Sequence, residues 1–189
     1  MAKLLADFGK KMNPEIFKNN KDWKLVLEKL FGETDFYKSA VFQVMMEQNL
    51  TLKEAARLEP HHMDALFRHG ANMMAVANYK EAIMWFEACT GVDPLDFRFY
   101  YGLGTCLQME RSYKAAAETL MYGMAWNATY LPFYLRLGDC HMASNENETA
   151  LEFFTTAIKL GADKPEEAGN VDYAQRMADL IKAKKKITR

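Results

Sequence analysis

Net charge is almost absent: 24 Lys and Arg stand against 25 Asp and Glu, a formal −1 over 189 residues. A chain so balanced carries no electrostatic footprint for nucleic acid or an anionic membrane surface, and neither is expected as a direct partner. Cysteine is scarce too. Cys89, Cys106 and Cys140 stand where helices call for packing residues, and they read as reduced core thiols of a cytosolic protein. Long apolar runs are missing. The Leu4-Leu5 pair is interrupted by Asp7 and Lys10-Lys11, so no signal peptide or membrane span is expected, and the Asn-x-Ser/Thr matches at Asn49, Asn127 and Asn147 have no secretory route to glycosylation. Catalytic signatures are missing as well: there is no His-Glu-x-x-His, phosphate loop or nucleophile elbow. The adjacent His61 and His62 diverge by about 100° on a helix and do not readily share a metal. The chain is expected to be no enzyme and to need neither metal nor cofactor.

What is present is a pattern written three times at a spacing of 34 residues. Glycines stand at Gly70, Gly104 and Gly138, alanines at Ala82, Ala116 and Ala150, and bulky residues at Phe86, Leu120 and Phe154. That period, with small residues at two fixed places and a large one between, marks a tetratricopeptide repeat, a helix-turn-helix unit. Each first helix places a bulky residue, a small one four later and another bulky one three later: Leu66/Gly70/Met73, Tyr100/Gly104/Leu107 and Tyr134/Gly138/His141, the last slot being the weakest. Small residues let helix backbones approach until the large ones interlock. The closing proline stands at Pro94 and is replaced at Ala128 and Ala162, while Pro60 ends what precedes the first repeat. The expected fold is all-α: a superhelix of three repeats over 61–162, in phase as 63–96, 97–130 and 131–164, with N-terminal helices over 1–60 and a C-terminal capping helix over 163–189. Stacked repeats present an extended concave surface, so the expected task is holding a peptide or protein segment.

The flanks carry their own signals. Pro14 suits a first helical turn, and Ile16, Phe17, Trp23, Leu27, Leu30 and Phe31 recur at helical steps up to Gly32. A second helix starts near Thr34 or Asp35 and runs through Val44 and Met45. Thr51 with Glu54 makes a capping box for a short helix over 51–58. An array exposes an apolar edge at each end, and Trp23, Leu27, Leu30, Phe31, Phe36, Tyr37, Phe42 and Met45 exceed what one cap requires; they predict a homodimer interface. At the other end Tyr173, Met177, Leu180 and Ile181 predict a helix covering the third repeat.

Helical geometry also assigns a groove. Positions 2, 5, 9 and 12 of a unit are rotated by about 140° from the core-facing ones, at about 100° per residue. They are Asp64, Phe67, Ala71 and Met74 in the first repeat, Arg98, Tyr101, Thr105 and Gln108 in the second, and Pro132, Leu135, Asp139 and Met142 in the third. Phe67, Met74, Tyr101, Leu135 and Met142 offer apolar pockets, and methionine adapts to varied shapes. Arg98, Thr105, Gln108 and Asp139 offer hydrogen bonds to an extended backbone. The two-carboxylate clamp by which some repeats hold an acidic C-terminus is not present: its positions carry Phe67, Ala71, Gly102 and Pro132, and only Arg136 remains. A buried carboxylate would lack its cations there.

From about Leu50 to Lys186 the chain resembles the class II chaperones of type III secretion systems. The residues that carry the resemblance are Thr51-Leu52-Lys53-Glu54 leading to Pro60, Asp96-Phe97-Arg98-Phe99 with Gly102-Leu103-Gly104, Tyr122-Gly123, Asp139-Cys140 and Ala162-Asp163-Lys164. The resemblance implies a bacterial cytoplasmic chaperone of two hydrophobic translocators, in which an extended segment near the N-terminus of a translocator lies along the concave groove until export; whether one groove serves both is left open. It implies homodimers through the N-terminal helices and, in some members, a regulatory role with an AraC-like activator. The family commonly places aromatics at the three groove positions of the first repeat. Here only Phe67 is aromatic, and Ala71 is expected to open a wider pocket for a bulkier cargo residue. A repeat scaffold in a complex unrelated to secretion is the alternative reading.

Overall fold

The computed structural model describes residues 40–187, and side chains from 43 to 185. Among the described residues every element is helical: α1 (Ala40–Gln48), α2 (Leu52–Ala55), α3 (Pro60–Ala75), α4 (Tyr79–Val92), α5 (Phe97–Met109), α6 (Tyr113–Trp126), α7 (Pro132–Ala143), α8 (Asn147–Gly161), a 3-10 turn (Pro165–Glu167) and α9 (Ala168–Ile187). Helices α3/α4, α5/α6 and α7/α8 form antiparallel pairs that stack in order, each second helix also packing on the next pair's first. This is the tetratricopeptide-repeat superhelix.

The small-residue pattern works by contact. A Cβ built on Gly70 stands 2.5 Å from Phe86 Cζ, one on Gly104 2.6 Å from Leu120 Cγ, and one on Gly138 2.6 Å from Phe154 Cε1. Real side-chain carbons meet at about 3.5–4 Å, so each glycine is the space its own repeat's large residue occupies. Those three large residues, with Ala82, Ala116 and Ala150, are fully buried.

The turn inside each repeat is equally regular. Ala77 (φ 57°), Arg111 (φ 61°) and Asn145 (φ 62°) are left-handed and lie 34 residues apart. After each, the next amide reaches back five residues: Asn78 to Met73, Ser112 to Leu107 and Glu146 to His141. That is a Schellman closure, which usually takes glycine.

At the N-terminal end Thr51 and Glu54 complete their capping box. The helix is shorter than the expected 51–58 because Arg57 is left-handed (φ 52°) and Leu58 N–H closes on the Lys53 carbonyl. Leu52 is buried in the first-repeat core, and Lys53 pairs with the buried Asp93 at 2.6 Å. The four-residue motif thus caps, packs, tethers and caps again. Met45 is 8% exposed within the same core, so α1 and α2 cover the first repeat. This corrects the assignment of Met45 to a dimer interface. The other interface residues, Trp23, Leu27, Leu30, Phe31, Phe36, Tyr37 and the Phe42 side chain, lie outside the described residues.

Cys89, Cys106 and Cys140 are buried and unpaired. Burial pushes the Cys106 thiol up to about 12 and Cys140 to about 11, which keeps both protonated and poorly nucleophilic. No helix among the described residues is long and apolar enough to cross a membrane.

Candidate binding face

The first helices of the units, α3, α5 and α7, lie side by side, and polar bridges join their shared face. On α5, Asp96 caps the helix by accepting from the Arg98 amide at 3.0 Å, and its carboxylate holds the Arg98 guanidinium at 2.6 Å. The same guanidinium crosses to Asp64 on α3 at 2.6 Å and lies 5.6 Å from the Phe67 ring centre. The Arg98 bond holds the Asp64 carboxyl below its ordinary range. Phe67 is half-buried, its ring 5.9 Å from that of Phe86. Ala71 is half-buried, and Met74 packs at the edge of the first core.

The second bridge links α5, α7 and α9. Arg136 donates to Gln108 Oε1 at 3.3 Å and also reaches the Tyr101 hydroxyl. Tyr101 stands edge-on to Tyr130 and Phe133 at 5.3 and 5.6 Å. Asp139 accepts from the Tyr173 hydroxyl at 2.7 Å and from Gln108. Burial raises the Asp139 carboxyl above its ordinary value, against the effect of those bonds and of Arg136. Asp64–Arg98 and Asp139–Tyr173 each span 34 residues, one repeat period.

Two expected groove residues are covered instead. Thr105 is 3% exposed, and its hydroxyl donates to the Tyr101 carbonyl one turn back at 2.8 Å, so it has nothing to give a peptide. Leu135 is 8% exposed and belongs to the core that α8 and α9 close. Met142 packs half-buried against that same core, and Pro132 is the first residue of α7. Tyr173, expected only in the helix that covers the third repeat, joins this face as well, one period after Asp139.

A second groove, of about 1030 Å³, opens on the opposite side between α6 and α8. Met121, Tyr122, Ala125 and Phe153 line it, with Tyr122 56% exposed. At one end the His141 ring stacks on Phe153 at 5.3 Å and hydrogen-bonds Glu146 at 2.5 Å, which gives the weak His141 slot its partners.

A family described as tetratricopeptide repeat matches residues 131–163. The chain is 27% identical over 150 residues to the low calcium response locus protein H of Yersinia pseudotuberculosis, covering 77% of this chain and 89% of that protein. It resembles a type III secretion complex from Aeromonas hydrophila at 26% identity and a TM-score of 0.70, over 78% of this chain and 99% of that one. It also resembles the Yersinia enterocolitica translocator chaperone SycD at 26% identity. That protein is solved with a peptide of the translocator YopD (TM-score 0.64; 68% of this chain, 98% of that one) and as an alternative dimer (TM-score 0.65; 68% and 97%).

Proposed function

We propose that this chain, which belongs to the tetratricopeptide-repeat translocator chaperones of type III secretion, holds an extended segment of a hydrophobic translocator along the face shared by α3, α5 and α7. In the bacterial cytoplasm it keeps that protein soluble before export. The observation that carries the reading is the continuity of this face: two polar bridges, each between helices one period apart, frame the apolar Phe67, Ala71 and Met74 at one end and Tyr101 in the middle. The bridged side chains are already paired with one another, so the surface is ordered before cargo arrives, which lowers the entropy cost of binding. A translocator with long apolar stretches needs them masked in water, and a partner that binds only the soluble form shifts the balance away from aggregation.

Phe67 and Met74 serve as apolar seats, and the small Ala71 between them admits a bulky anchor from the cargo. Arg136, Gln108 and Asp139 supply hydrogen bonds for the cargo backbone. The chain is taken to act as a homodimer through its N-terminal region, in line with the dimer of SycD. Its task is binding and release, with no bond made or broken.

Co-expression with a hydrophobic translocator of a type III secretion system from the same bacterium tests the reading. Wild type should yield soluble translocator. Phe67→Ala with Ala71→Tyr should lose most of it while far-UV circular dichroism of the chaperone stays helical. Soluble cargo with the double variant would move the site off this face, and the α6/α8 groove would be the next to mutate.

A further inference from the structure

We infer that α9, besides closing the array, is the inner helix of an incomplete fourth unit and lengthens the cargo-binding face by one subsite, over Gly169 and Tyr173. The inference rests on the inner-face reading above and extends it.

The phase of α9 carries the first part of the argument. Its buried stripe includes Ala174, Ala178 and Ile181, and Ala174 stands one period after Cys140 and two after Cys106, all three buried. Helix α9 also lies beside α7 as α7 lies beside α5. With the core stripe in phase, the face of α9 that continues the groove is fixed. Its position equivalent to Asp139 is Tyr173, and that side chain does reach Asp139.

Gly169 carries the second part. It stands one period after Leu135, two after Tyr101 and three after Phe67, and one turn before Tyr173 on the same side of the helix. Gly70, Gly102, Gly104, Gly123, Gly138 and Gly161 would each drive a Cβ to within 3 Å of neighbouring atoms, whereas a Cβ on Gly169 meets nothing within 4 Å. Packing among the described residues therefore does not call for glycine there, and in this first turn of α9 glycine leaves the backbone open to approach as no other residue does. Such a residue suits a place where another backbone comes close. The occupant is the continuing end of the extended cargo segment, which passes over Gly169 and lays a side chain on the Tyr173 ring. Inner helices about 10 Å apart and about 3.3 Å per extended residue make the footprint about three residues longer than three repeats alone hold.

The experiment uses the full chain and fluorescein-labelled peptides tiled across the N-terminal region of the translocator it keeps soluble, read by fluorescence anisotropy. Gly169→Trp should weaken the best peptide about tenfold, as expected for the loss of one buried side-chain contact, while Gly169→Ala binds as wild type. A peptide trimmed by three residues at the α9 end should bind wild type and Gly169→Trp alike. The space around Gly169 predicts that Gly169→Trp keeps wild-type helicity, and Gly169→Leu gives the same reading if tryptophan disturbs the helix. Wild-type affinity in both bulky variants, with binding weakened in Phe67→Ala, overturns the subsite and leaves the inner face in place. Wild-type affinity in Phe67→Ala too overturns the inner-face reading and the subsite with it.

Discussion

Substituting Gly102 with alanine is a sharp test of how the repeats are held. The Phe86 ring is gripped by two glycines on neighbouring first helices. A Cβ on Gly102 stands 2.5, 2.7 and 2.7 Å from Phe86 Cζ, Cε1 and Cε2, and one on Gly70 stands 2.5, 2.7 and 3.0 Å from the same ring atoms. Ordinary contact lies near 3.5–4 Å, so the ring would have to withdraw about 1 Å from Gly102, and Gly70 and a fully buried surrounding leave it nowhere to go. Overpacking a tight core costs about 1–3 kcal/mol; with both sides blocked the upper end applies. Replacing a mid-helix glycine returns about 1 kcal/mol. The net expectation is a loss of about 2 kcal/mol, or about 4–8 °C in Tm for a chain of this size, measured by thermal unfolding under circular dichroism. Phe86→Leu opens a void and should also destabilise, but the double variant should cost at least about 1 kcal/mol less than the sum, because the shorter side chain vacates the space the new methyl needs. A Gly102→Ala protein as stable as wild type, or strictly additive behaviour, would refute close helix approach as the reason for these glycines.

The turns, the N-terminal tether and the cap make further predictions. Ala77→Gly should stabilise the protein by about 1 kcal/mol, since a non-glycine left-handed residue costs about 1–2 kcal/mol and the Schellman closure remains; a lower Tm would contradict the φ of 57°. Lys53→Ala should cost about 1–3 kcal/mol by leaving the buried Asp93 carboxylate without its cation. It should also speed hydrogen exchange in α2 before α5, whereas uniform exchange would deny the tether. The Thr51 amide and hydroxyl bonds hold Glu54 below its usual 4.5. Its contribution is therefore present above pH 4.5 and lost as pH falls below that value, so Glu54→Gln should flatten this limb of a stability–pH curve, and an unchanged limb would count against the cap.

Steric demands were the legible part of the sequence. A helix crossing tolerates only the smallest side chains, so Gly70, Gly104 and Gly138 announced themselves, and the large partners followed at fixed distance. The capping box at Thr51 was legible because it needs two particular residue types three apart. Conformational demands were harder to see: Ala77 and Arg111 adopt a left-handed turn that neither side chain favours, and the surrounding hydrogen bonds impose it. Rotation about a single helix placed Asp64, Phe67 and Arg98 where they do meet, yet it takes no account of neighbours. The 100° rule therefore exposed Thr105 and Leu135, which the stacked helices cover, and left out Tyr173, which reaches the face from an element read only as a cap. The dimer assignment failed at Met45 for a similar reason, since α1 spends that side chain on its own core.

Photocrosslinking from the two faces tests the central claim most directly. With benzoylphenylalanine in place of Phe67 on the inner face, or of Met121 in the α6/α8 groove, irradiation of the co-purified complex should link the translocator strongly at position 67 and weakly or not at all at position 121. Mass spectrometry of the linked product should find one short segment near the translocator's N-terminus. Crosslinking at position 121 with none at 67 would place the cargo on the outer groove and contradict the account.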